Sequence, residues 1–153
     1  GGYPYGDRVM VVSNDWHSAL VPMFIHAQRT ATPSLWNSTK TAFLCHNAVF
    51  QGRFEAEEGL AEVLGVPQEY IDSITFKMPL KVGKYNEKVM CVNSMAAGLR
   101  YSDRVLTVSP TYARECAVDP EKGVELQELF ALGRSTGILN GVKDWLVGAQ
   151  AFA

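Results

Sequence analysis

Polar and aromatic side chains follow an apolar run near the start of the chain. The segment SNDWHSALVP, residues 13–22, places Asp15, Trp16 and His17 side by side directly after RVMVV. A turn at the end of a strand needs Asn or Asp, but it needs neither indole nor imidazole. Imidazole donates and accepts hydrogen bonds, a carboxylate accepts them, and indole offers a flat apolar face. Together these groups are suited to holding a polar organic ligand.

Three later apolar runs are also followed by polar segments. Ligands of open α/β sheets bind outside the carboxyl ends of the strands, so we expect the four segments to line one site. The candidate binding residues are Asp15, Trp16, His17, His46, Asn47, Gln51, Gly52, Ser109, Tyr112, Asn140 and Gly141.

Each residue type among these candidates also has an ordinary structural role. Asn and Asp cap helices, Trp packs over loops, His bonds to backbone carbonyls, and Gly adopts positive φ. These roles are the alternatives for Asn14, Asp15, Trp16, His17, His46, Gly52 and Gly141. His26 lies on a predicted helix, where we expect it to be solvated. The residues by themselves therefore predict a polar site and leave its ligand open.

The motifs of several common enzyme classes do not occur in the sequence. GxGxxG, GxxxxGK[ST], GxSxG and HExxH are missing, and Ser109-Pro110 lacks the glycines of a nucleophile elbow. Cys45, Cys91 and Cys116 form no CxxC pair. This spacing argues against a zinc site or a disulfide framework and favours a reducing compartment.

Length and charge exclude other classes of protein. The 153 residues suffice for one domain, residues 1–153, and the net charge of −2 provides no basic surface for nucleic acid or anionic lipid. No apolar run approaches the roughly 18 residues that suggest a membrane span. We therefore expect neither a nucleic acid nor a membrane as a partner.

Alternating strands and helices must position the polar segments. Short apolar runs predict strands over residues 8–13, 39–45, 104–108 and 137–139. Helices are predicted over residues 21–29, 55–65 and 86–101, in PTYAREC and in EKGVELQELFAL, with a helical turn in PQEYIDSI and a loop over residues 76–85. Continuously apolar strands that alternate with helices favour an α/β fold with a Rossmann-like parallel sheet and helices on both faces.

Five segments resemble, in order and at comparable spacing, blocks of bacterial and plant glycogen and starch synthases. They are NDWHSALVP, HNAVFQGRF, AAGLRYSDRVLTVSPTYARE, KGVELQELF and GILNGV, and the resemblance spans roughly residues 9–142, which is nearly the whole chain. QGRF and PQEYIDSI resemble the plant and algal granule-bound type most. The resemblance implies part of the first domain of a two-Rossmann-domain, GT-B type glycosyltransferase.

The resemblance also implies an activity and roles for several residues. Family members transfer glucose from ADP-glucose to the non-reducing end of an α-1,4-glucan, with retention of configuration and without a metal or other cofactor. The residue matching His17 is implied to contact the donor glucose as the catalytic histidine, and Asn140 to line the same cleft. The segments 46–52 and 109–112 are expected near that cleft. A plant or algal protein would lie in a plastid, and a bacterial one in the cytoplasm.

The chain departs from the family pattern in three places. It lacks the K-x-G-G-L loop and the second, nucleotide-binding domain with its basic residues, and its NGVKDW replaces NG[VIM]D followed by Trp. We therefore expect a partial domain that is inactive alone, exposes sheet edge and apolar helix faces, and has the remainder of the synthase as a partner. A non-catalytic glucan-binding module is the alternative. An unrelated nucleotide-binding domain is a weaker one, because no phosphate-binding loop supports it.

Overall fold

Two sheets and the helices around them form the part of the chain that the computed structural model describes, residues 8–82 and 85–141. In chain order the elements are β1 (Met10–Asn14), α1 (Asp15–Ser18), α2 (Leu20–Ala31), α3 (Pro33–Trp36), β2 (Lys40–Cys45), β3 (Arg53–Glu55), α4 (Leu60–Leu64), α5 (Gln68–Ser73), β4 (Thr75–Val82), β5 (Tyr85–Asn93), α6 (Ser94–Tyr101), β6 (Arg104–Thr107), α7 (Pro110–Val118), α8 (Pro120–Gly123), α9 (Gln127–Phe130) and β7 (Ser135–Gly137). Each described helix is too short or too polar to span a bilayer.

The predicted parallel sheet is confirmed. Its strand order is β1-β2-β6-β7, and every neighbouring pair is parallel. The four strands are those predicted from the apolar runs, although β7 ends at Gly137, where the predicted strand began. The helices α2, α5 and α7 also lie where sequence predicted them.

The helices were predicted on both faces of this sheet, but the described helices cover one face. Phe43 and Val105 are buried on that face, and Gly98 of α6 lies so close to the Phe43 ring that a Cβ would overlap it. On the opposite face Met10 and Val12 are 67% and 52% exposed. The reason is topological. The strands follow chain order across the sheet, so right-handed crossovers all lead to the same face.

A second sheet of three antiparallel strands, β3-β5-β4, was not predicted. It occupies the region where sequence predicted a loop over residues 76–85 and the first half of a helix over residues 86–101. Val89 and Val92 fit a helical spacing, but Cys91 is buried and pairs with Phe76, while Met90 is exposed. Alternating exposure of this kind is the period of a strand. The predicted helix begins only at Ser94.

Two other predictions were wrong in extent or environment. EKGVELQELFAL is not one helix, because Val124 and Glu125 have φ values of 45° and 70° between α8 and α9. Of the predicted helix over residues 55–65, only α4 is helical. His26 is not solvated. Its Nδ1 lies 2.9 Å from the Tyr70 hydroxyl, and its ring packs against the Tyr101 ring.

Asp103 joins α2, β2 and β6 at the amino end of the parallel sheet. Its carboxylate accepts hydrogen bonds from the Arg29 guanidinium at 2.9 and 3.2 Å and from the Thr41 backbone N–H at 2.7 Å. The Thr41 hydroxyl donates a further one at 3.1 Å. Burial raises the pKa of Asp103, but these hydrogen bonds outweigh burial and lower the pKa from 3.8 to about 2. The ionised carboxylate thus fixes where these three elements meet.

We expect Asp103→Asn to lower the free energy of unfolding at neutral pH by about 1–2 kcal/mol, because hydrogen bonds to a partly exposed charge are lost. The carboxyl pKa is lower in the folded chain than in the unfolded chain, so the wild type should lose stability as pH falls from 3.8 to about 2. Asp103→Asn should not show this acid-dependent loss of stability. Urea unfolding across that pH range measures both effects, with the exposed carboxylate Glu58→Gln as control. An equal acid slope in Asp103→Asn and wild type would contradict the assignment.

Candidate functional site

The four predicted polar segments lie at one edge of the parallel sheet. Because β1, β2, β6 and β7 are parallel, the segments after Asn14, Cys45, Thr107 and Gly137 all leave from the same side. β1 and β7 are the outer strands of the four, three strand spacings apart, or roughly 14 Å. His17 and Asn140 therefore share an edge but are separated by β2 and β6. Asn140 and Gly141 are both exposed, and open space surrounds Gly141.

Asp15 links the first segment to the second. Its carboxylate accepts a hydrogen bond from the backbone N–H of His46 at 2.8 Å. Asp15 holds φ at 48°, a conformation that Asp tolerates better than most residues. The start of α1 is held by the Ser18 hydroxyl, which bonds to the N–H and carbonyl of Asn14 at 2.7 and 2.8 Å. The Asn14 side chain makes no capping hydrogen bond, so the helix-capping role considered for it is not seen.

Trp16 and His17 form a stacked pair at this edge. Their ring centroids are 4.0 Å apart and their planes are inclined by 26°. The imidazole is exposed, whereas the indole is half-buried. Gly52 lies directly against the indole, where a Cβ would overlap the ring, and its φ is +61°. The Trp16 ring therefore rests on a backbone surface that only glycine provides, and it supports His17 from behind.

Tyr112 and Ser109 hold the segment after β2. The Tyr112 hydroxyl accepts a hydrogen bond from the Ala48 N–H at 3.0 Å, and burial raises its pKa to about 12, so the phenol stays protonated. Ser109 caps α7 by accepting a hydrogen bond from the Tyr112 N–H at 3.0 Å. Asn47 forms a local turn, since its Oδ1 accepts a hydrogen bond from the Val49 N–H at 2.9 Å. The polar groups of Tyr112, Ser109 and Asn47 therefore fix the conformation of the segment after β2 and of the start of α7.

Gln51 is 3% exposed, and its amide is engaged at both ends. Its Nε2 donates to the carbonyls of Ala48 and Val124, both at 2.8 Å. Its Oε1 accepts from the Asn93 amide at 2.7 Å and from the Arg53 guanidinium at 2.9 Å. Sequence reasoning gave Gln51 a substrate-binding role. In the structure Gln51 is one of the residues that line the cavity beside Trp16, and its amide positions the neighbouring residues.

Sequence reasoning missed the residues between α8 and α9. Val124 and Glu125 both have positive φ, which is a strained conformation for a β-branched residue such as valine. The turn directs the Val124 carbonyl to Gln51 and the Glu125 carboxylate to Arg53, where the ion pair measures 3.2 Å. Gly123 comes directly before this turn and is the sequence signal for the break between α8 and α9. Glycine is required there because a Cβ would overlap the backbone carbonyl of Cys116.

Sequence reasoning also missed two exposed aromatic side chains, Phe50 and Phe54, which are 66% and 53% exposed. Phe54 follows Arg53 on β3, and its ring centroid lies 6.2 Å from that of Trp16. Phe50 and Trp16 line the same cavity, which measures about 460 Å³. The sequence signal that would have drawn attention to them is their position on either side of the candidates Gln51 and Gly52.

The chemistry available at this edge is hydrogen bonding and stacking. In the described ranges no three His, Cys, Asp or Glu side chains converge as metal ligands would. Cys45, Cys91 and Cys116 are buried and form no disulfide, and burial raises the pKa of the Cys45 thiol well above its usual range. An exposed imidazole on an aromatic support is suited to orienting a hydroxyl-rich ligand.

Comparison with known proteins assigns the family. A family model described as the starch synthase catalytic domain matches residues 6–131. The chloroplastic/amyloplastic granule-bound starch synthase 1 of Ipomoea batatas is 38% identical over 146 residues, which are 93% of this chain and 23% of that protein. Its counterpart in Solanum tuberosum is 36% identical over 148 residues, with the same shares covered.

A solved structure shares the fold. The catalytic domain of Starch Synthase IV from Arabidopsis thaliana, bound to ADP and acarbose, has a TM-score of 0.61 to this chain at 24% identity. The match covers 89% of this chain and 26% of that one. The chain thus spans about a quarter of the length of the relatives it matches. Both the resemblance to granule-bound synthases and the Rossmann-like fold are confirmed, and the chain belongs to the starch synthase catalytic domain family.

Proposed function

We propose that this chain supplies one side of the cleft of an ADP-glucose-dependent glucan synthase. The enzyme would transfer glucose with retention to the non-reducing end of an α-1,4-glucan. One observation carries the proposal: His17 is exposed, stacked at 4.0 Å on Trp16, and held at the sheet edge of a chain in the starch synthase family. The relatives that it matches are named starch synthases, and the solved relative is described as bound to ADP and acarbose.

The reaction gives these residue types a purpose. The transferred glucosyl group develops oxocarbenium character while the departing ADP gains negative charge. The exposed His17 imidazole would hold a sugar hydroxyl in one orientation, and Asn140 would act further along the same edge. Fixed donors and acceptors of this kind lower a barrier because their orientation is settled before the reaction begins.

The described residues are better suited to binding the sugar of ADP-glucose than to binding its phosphates. Arg53 lies next to the aromatic residues of this edge, but its guanidinium is paired with Glu125 at 3.2 Å and also bonds to Gln51. We propose that the ADP phosphates are held by the remainder of the synthase, as a partner, and that the isolated chain has no transferase activity. The names of the matched relatives, chloroplastic/amyloplastic, favour a plastid location.

We expect His17→Ala to weaken ADP-glucose binding by about tenfold, because one hydrogen bond to the donor sugar is lost. Calorimetric titration of the purified chain with ADP-glucose measures the change. Gln28→Ala, an exposed polar side chain on α2, is the control and should leave the dissociation constant unchanged. Wild-type affinity in His17→Ala would contradict the proposed role. Glucan binding without any donor binding would favour a non-catalytic glucan-binding module.

We expect donor binding to be independent of divalent metal. The sugar would be held by hydrogen bonds to side chains such as His17 and Asn140, and the described residues bring together no set of three metal ligands. Titration of ADP-glucose into the chain in EDTA and in excess Mg²⁺ should give the same dissociation constant. A loss of binding in EDTA that Mg²⁺ restores would show that the site uses a metal.

A further inference from the structure

Asn140 and Gly141 form an exposed pair just beyond β7, the last described strand of the parallel sheet. Among residues 8–82 and 85–141, no group forms a hydrogen bond with either residue. A Cβ added to Gly141 would meet open space. The side-chain amide of Asn140 and the backbone N–H of Gly141 are therefore both accessible to water.

An asparagine followed by glycine can lose its side-chain amide as ammonia. The backbone nitrogen of the glycine, once base has removed its proton, attacks the asparagine Cγ. The bond from Cγ to the amide nitrogen breaks, ammonia leaves with a proton, and a five-membered succinimide ring remains. Water then opens the ring at either carbonyl and yields aspartate or isoaspartate. Glycine favours the attack because no Cβ crowds its nitrogen, and this reaction is one reason that asparagine is thermolabile.

Two other asparagines show what protects an amide from this attack. Asn93 is fully buried, and the N–H of the next residue, Ser94, donates a hydrogen bond to a backbone carbonyl at 3.0 Å. Asn47 is exposed, but the N–H of Ala48 is hydrogen-bonded to a tyrosine hydroxyl at 3.0 Å. In both cases the nitrogen that would attack is already engaged. The Gly141 nitrogen has no such restraint within the described ranges.

Loss of the amide would change the charge of the candidate site. Asparagine is neutral, whereas aspartate and isoaspartate are ionised at neutral pH. Asn140 lies at the sheet edge that also carries His17, where ADP-glucose would bind. A carboxylate at this edge would repel the phosphates of the donor. This consequence rests on the proposed function, because it requires the donor to bind here.

We propose that Asn140–Gly141 is a spontaneous deamidation site, which replaces a neutral amide at the donor edge by a carboxylate and weakens donor binding as the chain ages. The reactants are the chain itself and water, and ammonia is the product that leaves. The rate rises with pH, because the Gly141 nitrogen must lose its proton before it attacks.

The first test is peptide mapping of the 153-residue chain before and after warm incubation in mildly alkaline buffer. Trypsin releases residues 135–143, in which Asn140 is the one amide side chain, and residues 41–53, which contain Asn47. We expect Asn140 to gain the mass of an amide-to-acid conversion, with part of the product methylated by isoaspartyl methyltransferase, and Asn47 to stay unchanged. Gly141→Ala should slow the conversion several-fold, because the methyl group crowds the attacking nitrogen but fits into open space.

The second test is calorimetric titration with ADP-glucose. We expect fresh Asn140→Asp and the fully aged wild type to bind about tenfold more weakly than the fresh wild type, because a carboxylate would lie near the phosphates. Aged Gly141→Ala should keep the affinity of its own fresh form. Circular dichroism before and after ageing establishes that the fold is retained.

The possible results separate this proposal from the proposed function. Conversion at Asn140 that is no faster than at Asn47, or equally fast in Gly141→Ala, would overturn the deamidation site and leave the proposed function standing. Conversion with unchanged ADP-glucose affinity would overturn the effect on binding, and the proposed function would stand if donor binding still depended on His17. If the fresh, folded wild type did not bind ADP-glucose, the proposed function and the effect on binding would both fail, whereas conversion at Asn140 would still support the deamidation site.

Discussion

The buried amide of Gln51 is the interaction on which the site depends. Its four partners come from separate parts of the chain: the Ala48 and Val124 carbonyls, the Asn93 amide and the Arg53 guanidinium. A buried polar group left without a partner costs roughly 1–3 kcal/mol, so each partner is drawn to a defined place. This single side chain thereby joins the loop after β2, the antiparallel sheet and the turn before α9.

The arrangement continues from Gln51 to the surface of the site. Asn93 is also buried, and its Oδ1 caps α6 by accepting a hydrogen bond from the Ala96 N–H at 3.1 Å. The end of β5 and the start of α6 are therefore fixed relative to the same loop. Gly52 is the next residue after Gln51, and it lies against the Trp16 ring that supports His17. The exposed imidazole is thus connected in a few steps to the buried, hydrogen-bonded amide of Gln51.

The sequence predicted those features that depend on local pattern. Apolar runs bounded by polar residues located the strands of the parallel sheet and the edge that carries His17. The helix predicted over residues 86–101 was wrong in its first half because Val89 and Val92 fit both periods, and only the pairing of Cys91 with Phe76 decides between them. The break at Val124 depends on Gln51, 73 residues away in the chain, and no local pattern reports such a contact. The contact between Trp16 of α1 and Phe54 of β3 has the same origin, because it joins residues far apart in the chain.

The charges that the structure shows at this edge bear on the proposed division of labour within the synthase. Transfer of a glucosyl group places negative charge on the departing nucleotide, and cations close to its phosphates must stabilise that charge. Here the guanidinium of Arg53 is paired with Glu125 and also bonds to Gln51. A guanidinium engaged by a carboxylate and an amide is less available to a phosphate than a solvated one. The proposed function therefore assigns the donor sugar to His17. The nucleotide would lie where the remainder of the synthase supplies positive charge.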